Sequence, residues 1–232
     1  LVISHGKILN RVTLLFPTIL LLMRSRGAIK NEIKYHCVVN PQIKELFDSN
    51  FGKYITIPED AYPFLFESYQ TKEYKSRELI VEGGGYEKHF YFVLSGVQAL
   101  YLLNEKGEKV ILGFSFNGTV SGAFDSFITG EPSHFFLEAL TPSTMIGITK
   151  SRFDELFERF PAFYQWRAHF MEEILLGRIS REVELLTHSA KDRFDAFVKR
   201  CPPELLQIPQ KYLASYLNMT PETFSRLRAL RD

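Results

Sequence analysis

At 232 residues, with 45% hydrophobic, 14% aromatic and 24% charged side chains, the chain is long enough for a main domain plus a small one and has an ordinary folded composition rather than a disordered one. A formal net charge of +1 excludes a basic nucleic-acid coat, so any nucleic-acid affinity has to be local. Cys37 and Cys201, far apart and in no C-x-x-C pattern, exclude a disulfide framework and a four-cysteine zinc or iron–sulfur site; they fit a reducing, cytoplasmic setting.

In chain order, the first candidate element is the apolar run 14–23, which at ten residues and with Pro17 and Thr18 inside it is too short to span a bilayer. As the core of a signal peptide it has only Arg11 as a weak positive flank and no small-x-small site after it. Residues 1–40 are assigned no function. From Thr71 to Thr149, β-branched and aromatic runs alternate with Gly, Asn and Pro, predicting strands over 79–81, 89–94, 97–103, 109–116, 135–139 and 144–149. A hairpin turn is predicted at 104–107, and Gly83, Gly84 and Gly85 read as a turn, because no strand-loop-helix setting or Lys-Ser/Thr accompanies them. Short strands at this spacing predict a small barrel or jelly roll whose interior has room for a ligand.

The pattern then turns helical. Ser151 is the expected cap of a helix with Phe153, Leu156, Phe157 and Phe160 on one face, ended by Pro161. From 162 to 188, Phe163, Trp166, Phe170, Ile174, Ile179, Val183 and Leu186 recur at three- and four-residue spacing. Such a stripe either lies on the chain's own barrel or lines a coiled dimer interface. A length of ~26 residues, roughly 39 Å, exceeds what a small barrel needs and favours the dimer. A further helix over 190–200 is stopped by Pro202 and Pro203.

Residues 208–232 spell two short helices joined by a tight turn. Leu213, Ala214 and Leu217 share a face of the first, and Ala214 lets a crossing helix come close. Thr220 is a good N-cap for the second, with Pro221 at its first position and Glu222 near the positive end of its dipole. Phe224 and Leu227 point inward, so Glu222, Ser225, Arg226 and Ala229 form an outward row. An Arg fork can bond guanine and a carboxylate can accept from cytosine, which makes Arg226 and Glu222 the expected base readers. Ser225, Thr223, Arg228 and Lys211 suit phosphate oxygens. A hairpin that merely packs on another domain shares the spacing and stays open as an alternative.

A barrel, then a long helix, then a terminal helix-turn-helix resembles the Crp/Fnr family of transcription regulators, the likeness running from Ile43 to Asp232 with its most specific parts at 90–122 and 208–230. The implied fold is α+β: a double-stranded β-helix or jelly-roll barrel with flanking helices (41–161), a long dimerisation helix (162–189) and a helix-turn-helix (190–232), without an evident wing because 205–207 leaves no room for one. The resemblance implies a homodimer on a near-palindromic site in double-stranded DNA, with half-sites about one helical turn apart. It admits a small-molecule effector and RNA polymerase as further partners. It places Glu222 and Arg226 at the family's base-reading positions, and Pro221 where many members carry another Arg. On the effector side it implies a phosphate cassette of Gly-Glu followed by Arg-Ser or Arg-Thr. Here, after Ser121, Gly122 keeps the Gly, but Ala123 replaces the Glu, Ser133 the Arg and His134 the hydroxyl. A neutral Ser cannot replace a guanidinium fork, so weak or absent cyclic-nucleotide binding is expected. His134, beside Phe135 and Phe136, is expected to be packed.

No H-x-x-x-H or H-E-x-x-H pattern occurs, and His89 and His134 alone do not make a metal site, so no enzyme and no metal is expected. The rival to DNA reading is a ligand-binding sensor whose terminal helices dock on a protein.

Overall fold

The computed structural model describes residues 40–230. The expectations for the run 14–23, for Cys37 and for residues 1–39 as a whole lie outside the described residues. The described part opens with α1 (Pro41–Phe51), capped by the Asn40 side chain on the Gln42 N–H, and α2 (Ala61–Ser68). Eight strands follow: β1 (Tyr69–Tyr74), β2 (Leu79–Val81), β3 (His89–Ser95), β4 (Val97–Leu103), β5 (Lys109–Phe116), β6 (Val120–Ser121), β7 (Phe136–Ala139) and β8 (Ser143–Thr149). All pair antiparallel in two four-stranded sheets, ordered β1-β8-β3-β6 and β2-β7-β4-β5, the double-sheet arrangement expected from the sequence. A short α3 (Phe124–Thr129) sits between β6 and β7. Then come α4 (Lys150–Arg159), α5 (Ala162–Thr187), α6 (Ala190–Arg200), a 3₁₀ turn at Pro203–Gln207, α7 (Gln210–Tyr216) and α8 (Pro221–Ala229).

Strand alternation decides what each sheet face meets. In β3, Phe90 and Phe92 face outward into a core made with α1, α4 and α5, while Tyr91 and Val93 turn toward the other sheet and Met145. The outer core is aromatic: Phe51 meets Phe163 and Trp166 edge-on with centroids 5.0 and 4.9 Å apart, and Phe90 stacks on Phe153 at 4.5 Å. The Trp166 indole N–H, which burial would otherwise orphan, donates to the Asn50 carbonyl at 3.1 Å.

The second sheet is covered by the C-terminal helices. Val97, Ala99 and Tyr101 of β4 and Ile111 of β5 share one core with Phe194, Phe197, Leu213, Ala214, Leu217 and Phe224. Strand β5 is the edge of that sheet, and α7 lies against it: the Ser215 hydroxyl accepts from Ile111 N–H at 3.0 Å and donates to the Lys109 carbonyl at 2.9 Å. A bulge between Leu100 and Tyr101 breaks the ladder there, and helix side chains fill the edge.

One expectation is corrected, one strand was not expected, and the stripe on α5 meets two surroundings. Helix α4 is capped by Thr149, whose hydroxyl accepts from Arg152 N–H, and not by Ser151, because the helix starts two residues earlier, at Lys150. Strand β1 was hidden by its polar run Thr71-Lys72-Glu73, tolerated because β1 is an edge strand paired only to β8. The stripe on α5 divides: Phe163, Trp166 and Phe170 are buried on the chain's own barrel with Ile174 packed beside them, whereas Leu176, Ile179, Val183 and Leu186 are 63, 47, 50 and 78% exposed. No helix among the described residues is long and apolar enough to cross a membrane.

Candidate nucleic-acid interface and effector cassette

The turn between α7 and α8 explains how the outward row is aimed. Asn218 takes a positive φ of 51°, Met219 N–H bonds the Ala214 carbonyl and Asn218 N–H bonds Ser215, which is a Schellman closure with Asn in the left-handed position. The next helix restarts at once: the Thr220 hydroxyl accepts from Thr223 N–H at 3.2 Å, with Pro221 at the first position. Arg193 of α6 then locks this turn. Its Nε donates to Leu217 O at 2.9 Å, Nη2 to Asn218 O at 3.1 Å and Nη1 to His188 O at 2.6 Å. Arg193 was not predicted, because nothing in the sequence links it to carbonyls more than twenty residues away.

On this frame Phe224 is buried, Leu227 is half-buried, and Glu222, Ser225, Arg226 and Arg228 are exposed. Thr223 is half-buried and its hydroxyl accepts from Thr220, so it already serves the cap. The Glu222 carboxyl is held below the usual carboxylate range by its own backbone N–H and by the Thr220 hydroxyl. Lys211 is exposed on the first turn of α7.

Helix α5 joins the parts. Its Arg178 and Arg181 donate to the Leu112 and Ile111 carbonyls of β5 at 3.1 and 3.3 Å. The Arg181 guanidinium lies 4.0 Å from the Tyr216 ring of α7, and Glu184 forms a two-pronged pair with Arg200 of α6 at 2.6 Å. At 100° per residue, Arg178 and Arg181 lie on the opposite side of the helix from Leu176, Ile179, Val183 and Leu186. One side is spent on the chain's own strand edge and on α6 and α7; the other is an uncovered apolar row spaced three, four and three.

The cassette region is internally satisfied. Ser133 donates to the Asp125 carboxylate at 2.9 Å, and His134 N–H donates to the same carboxylate at 2.8 Å. Ser133 is also held by its backbone to Gly84 and Gly85, so the triple-glycine segment is the turn expected, lying against the cassette. Beneath them Glu87 is buried, its carboxylate accepting from His89 N–H at 2.9 Å and Ala123 N–H at 3.3 Å; burial pushes its carboxyl up to about 7. Ser121 faces elsewhere, bonded to Ser115 at 2.7 Å. Thus Ser133 and His134 are brought together on Asp125, Ala123 meets Glu87, and Ser121 stands apart. The packed reading of His134 is overturned: its side chain is 87% exposed and 3.6 Å from Asp125, while its backbone N–H and the Ser133 hydroxyl beside it are tied to that carboxylate. Asp125 and Glu87 were missed, although Asp125 follows Gly122 by three residues.

A family model described as a cyclic nucleotide-binding domain matches residues 71–160. The fumarate nitrate reduction regulatory protein of Klebsiella oxytoca is 27% identical over 168 residues, 67% of this chain and 66% of that protein. The fumarate and nitrate reduction regulatory protein of Escherichia coli K12 matches with the same identity and coverage. The chain is thus similar to Crp/Fnr-type regulators over its barrel and beyond. It spans 66% of the length of the curated relatives it matches. Among solved structures, FixK2 from Bradyrhizobium japonicum shares the fold with a TM-score of 0.61 at 19% identity, over 70% of this chain and 83% of that one. The c-di-GMP responsive global regulator CLP of Xanthomonas campestris has a TM-score of 0.58 at 20% identity, over 72 and 88%. No group of three or more His, Cys, Asp or Glu residues among those described can hold a metal ion.

Proposed function

We propose that the chain is a homodimeric, sequence-specific DNA-binding transcription regulator. The observation that carries this reading is the exposed row Glu222, Ser225 and Arg226 on a recognition helix whose entry is fixed by the Asn218 closure and the Arg193 clamp. Such a helix can enter a major groove with Arg226 and Glu222 toward base edges, and with Ser225, Thr223, Arg228 and Lys211 toward phosphates. Pairing of two copies through the uncovered half of α5 would set two readers on a symmetric site. The barrel 41–161, the helix 162–189 and the segment 190–232 then divide the labour as sensor, pairing element and reader, in the cytoplasm. The relatives' printed names, regulators of fumarate and nitrate reduction, support a role in gene control.

The effector cassette does not grip a cyclic phosphate in this reading. The Ser133 hydroxyl and the His134 N–H, which an anion would need, are already donated to Asp125, and a second anion there would meet that carboxylate. The test is selection of bound fragments from a random duplex library, side by side with Arg226→Ala. A two-fold symmetric motif, lost in the variant at a cost of about 1–3 kcal/mol per base contact, is the expected result. Equal recovery by both proteins rejects the reading.

A further inference from the structure

The crossing from α6 to α7 is built by prolines. Pro202 and Pro203 stop α6, the chain turns once through Pro203–Gln207, and Pro209 precedes α7. Within that turn two neighbouring leucines part: Leu205 is buried in the core beneath, and Leu206 is 73% exposed. Leu206 forms one wall of an open trough of about 790 Å³ that runs from α6 across this turn to α7 and α8. The rest of its lining is mostly apolar and includes Phe194, Phe197, Ile208, Leu213 and Phe224. A volume of this size lies within the range of small-molecule sites.

The walls carry charge of one sign. Arg228, exposed in the last turn of α8, is the one charged residue of the lining, and Gln207 and Gln210 are its amides. The carboxylates of the same elements are elsewhere: Asp192 bonds the Ser189 hydroxyl, Asp195 pairs with Lys191, and neither Glu204 nor Glu222 lines the trough. Among the described residues the Arg228 guanidinium and the side-chain amides of Gln207 and Gln210 have no hydrogen-bond or ion-pair partner. The rings in the lining do not offer a slot for a flat ligand. Phe194 and Phe224 meet edge-on, with centroids 5.3 Å apart and planes at 80°, so they close on each other instead of leaving parallel faces. An apolar trough with a lone guanidinium fork and no carboxylate suits an anion with a flexible apolar body.

We propose that this trough binds a free aliphatic carboxylate of medium chain length, with the chain along the apolar lining and the carboxylate on Arg228. The chain leaves water against Leu206 and the phenylalanines, and the carboxylate accepts both arms of the guanidinium fork. The site is separate from the cassette at Ser133 and His134. Arg228 is also the residue placed above toward a DNA phosphate; ligand binding does not rest on that reading, and the test is run without DNA so that the two stand or fall apart.

The test is calorimetric titration of the full chain with decanoate, 1-decanol and acetate, beside alkylation of Cys201, which also lines the trough and is told from Cys37 by peptide mass. Decanoate should bind saturably, one per chain, and at saturation slow Cys201 alkylation by about tenfold. Decanol, without the charge, and acetate, without the chain, should each bind at least about tenfold more weakly. Arg228→Gln should weaken decanoate about tenfold and Leu206→Ser about threefold. Both positions are exposed, so the core is spared. Ile128→Ser, on the wall of a smaller apolar hollow between α3, α4 and α5, should leave the affinity unchanged. Absence of saturable binding, full-strength binding by Arg228→Gln or Leu206→Ser, unslowed alkylation of Cys201, or loss of binding in Ile128→Ser overturns the proposal. Decanol as tight as decanoate removes the carboxylate, acetate as tight removes the chain, and either result rejects the class assigned.

Discussion

Substituting Ile179→Glu places a carboxylate in the middle of the exposed row of α5. The four apolar side chains there are roughly half to three-quarters exposed in the single chain. Covering that remainder is worth about 1–2 kcal/mol each, so eight side chains in a pair supply roughly 8–16 kcal/mol before the cost of association. Ile179 sits between Leu176 and Val183 at coiled-coil spacing, so in a symmetric pair two introduced carboxylates face each other or an apolar partner. Losing two isoleucine contacts and desolvating two charges should together cost at least about 4 kcal/mol, a factor near a thousand in the dissociation constant. The protomer itself should be spared, because the Ile179 side chain is not part of either internal core. Sedimentation velocity at micromolar concentration reads the outcome: a dimer for the parent chain and a monomer with unchanged far-ultraviolet dichroism for the variant. A variant that stays dimeric refutes the assignment of this row as the pairing surface, and a parent chain that is monomeric refutes it more simply.

Other expectations concern the frame. Ser215→Ala strips the partner from the Ile111 N–H and the Lys109 carbonyl, and should cost about 1–3 kcal/mol in urea unfolding, with faster hydrogen exchange at Ile111. Gly96 has a φ of +90°, and a Cβ there would lie 2.5 Å from the Pro142 carbonyl and against the Ser143 hydroxyl, so Gly96→Ala should lose more than about 2 kcal/mol. Glu87 gives a pH signature. Its folded-state carboxyl is raised from 4.5 to about 7, so its contribution to stability is full below pH 4.5 and is lost as pH rises to about 7. The loss is on the order of 3 kcal/mol, and Glu87→Gln should flatten the urea midpoint across that window; an unchanged slope in the variant would assign the effect to other groups.

Much of this molecule could be read before it was seen, and the exceptions have common causes. The strands with alternating apolar residues, the helix starting at Ala190 after Ser189, and the Thr220 cap announce themselves through local rules that need no partner. The reader's outward row was legible for the same reason, since helical spacing alone sorts Phe224 from Arg226. Polar β1 and two-residue β6 carry no such period; they exist because β8 and β3 offer them a ladder. The contacts that aim and fill the site were the least visible. Arg193 on Leu217, Asp125 on His134, and Ser215 on β5 join residues whose distance apart in sequence says nothing about their meeting. Helix α5 shows the same limit from another side: one stripe serves two neighbours, and spacing could not tell where the first stops.

The packing of α6, α7 and α8 on the outer face of β4 bears on transplantation. A C-terminal segment excised at residue 190 would carry Phe194, Phe197, Leu213 and Leu217 into water on one side, and the barrel left behind would bare Val97, Ala99 and Ile111 on the other. Hybrids that join this sensor to a foreign helix-turn-helix therefore have to import a matching underside as well as a new recognition row. In the proposed reading, operator preference resides in Glu222, Ser225 and Arg226 and can be rewritten there far more freely than the whole C-terminal unit can be exchanged.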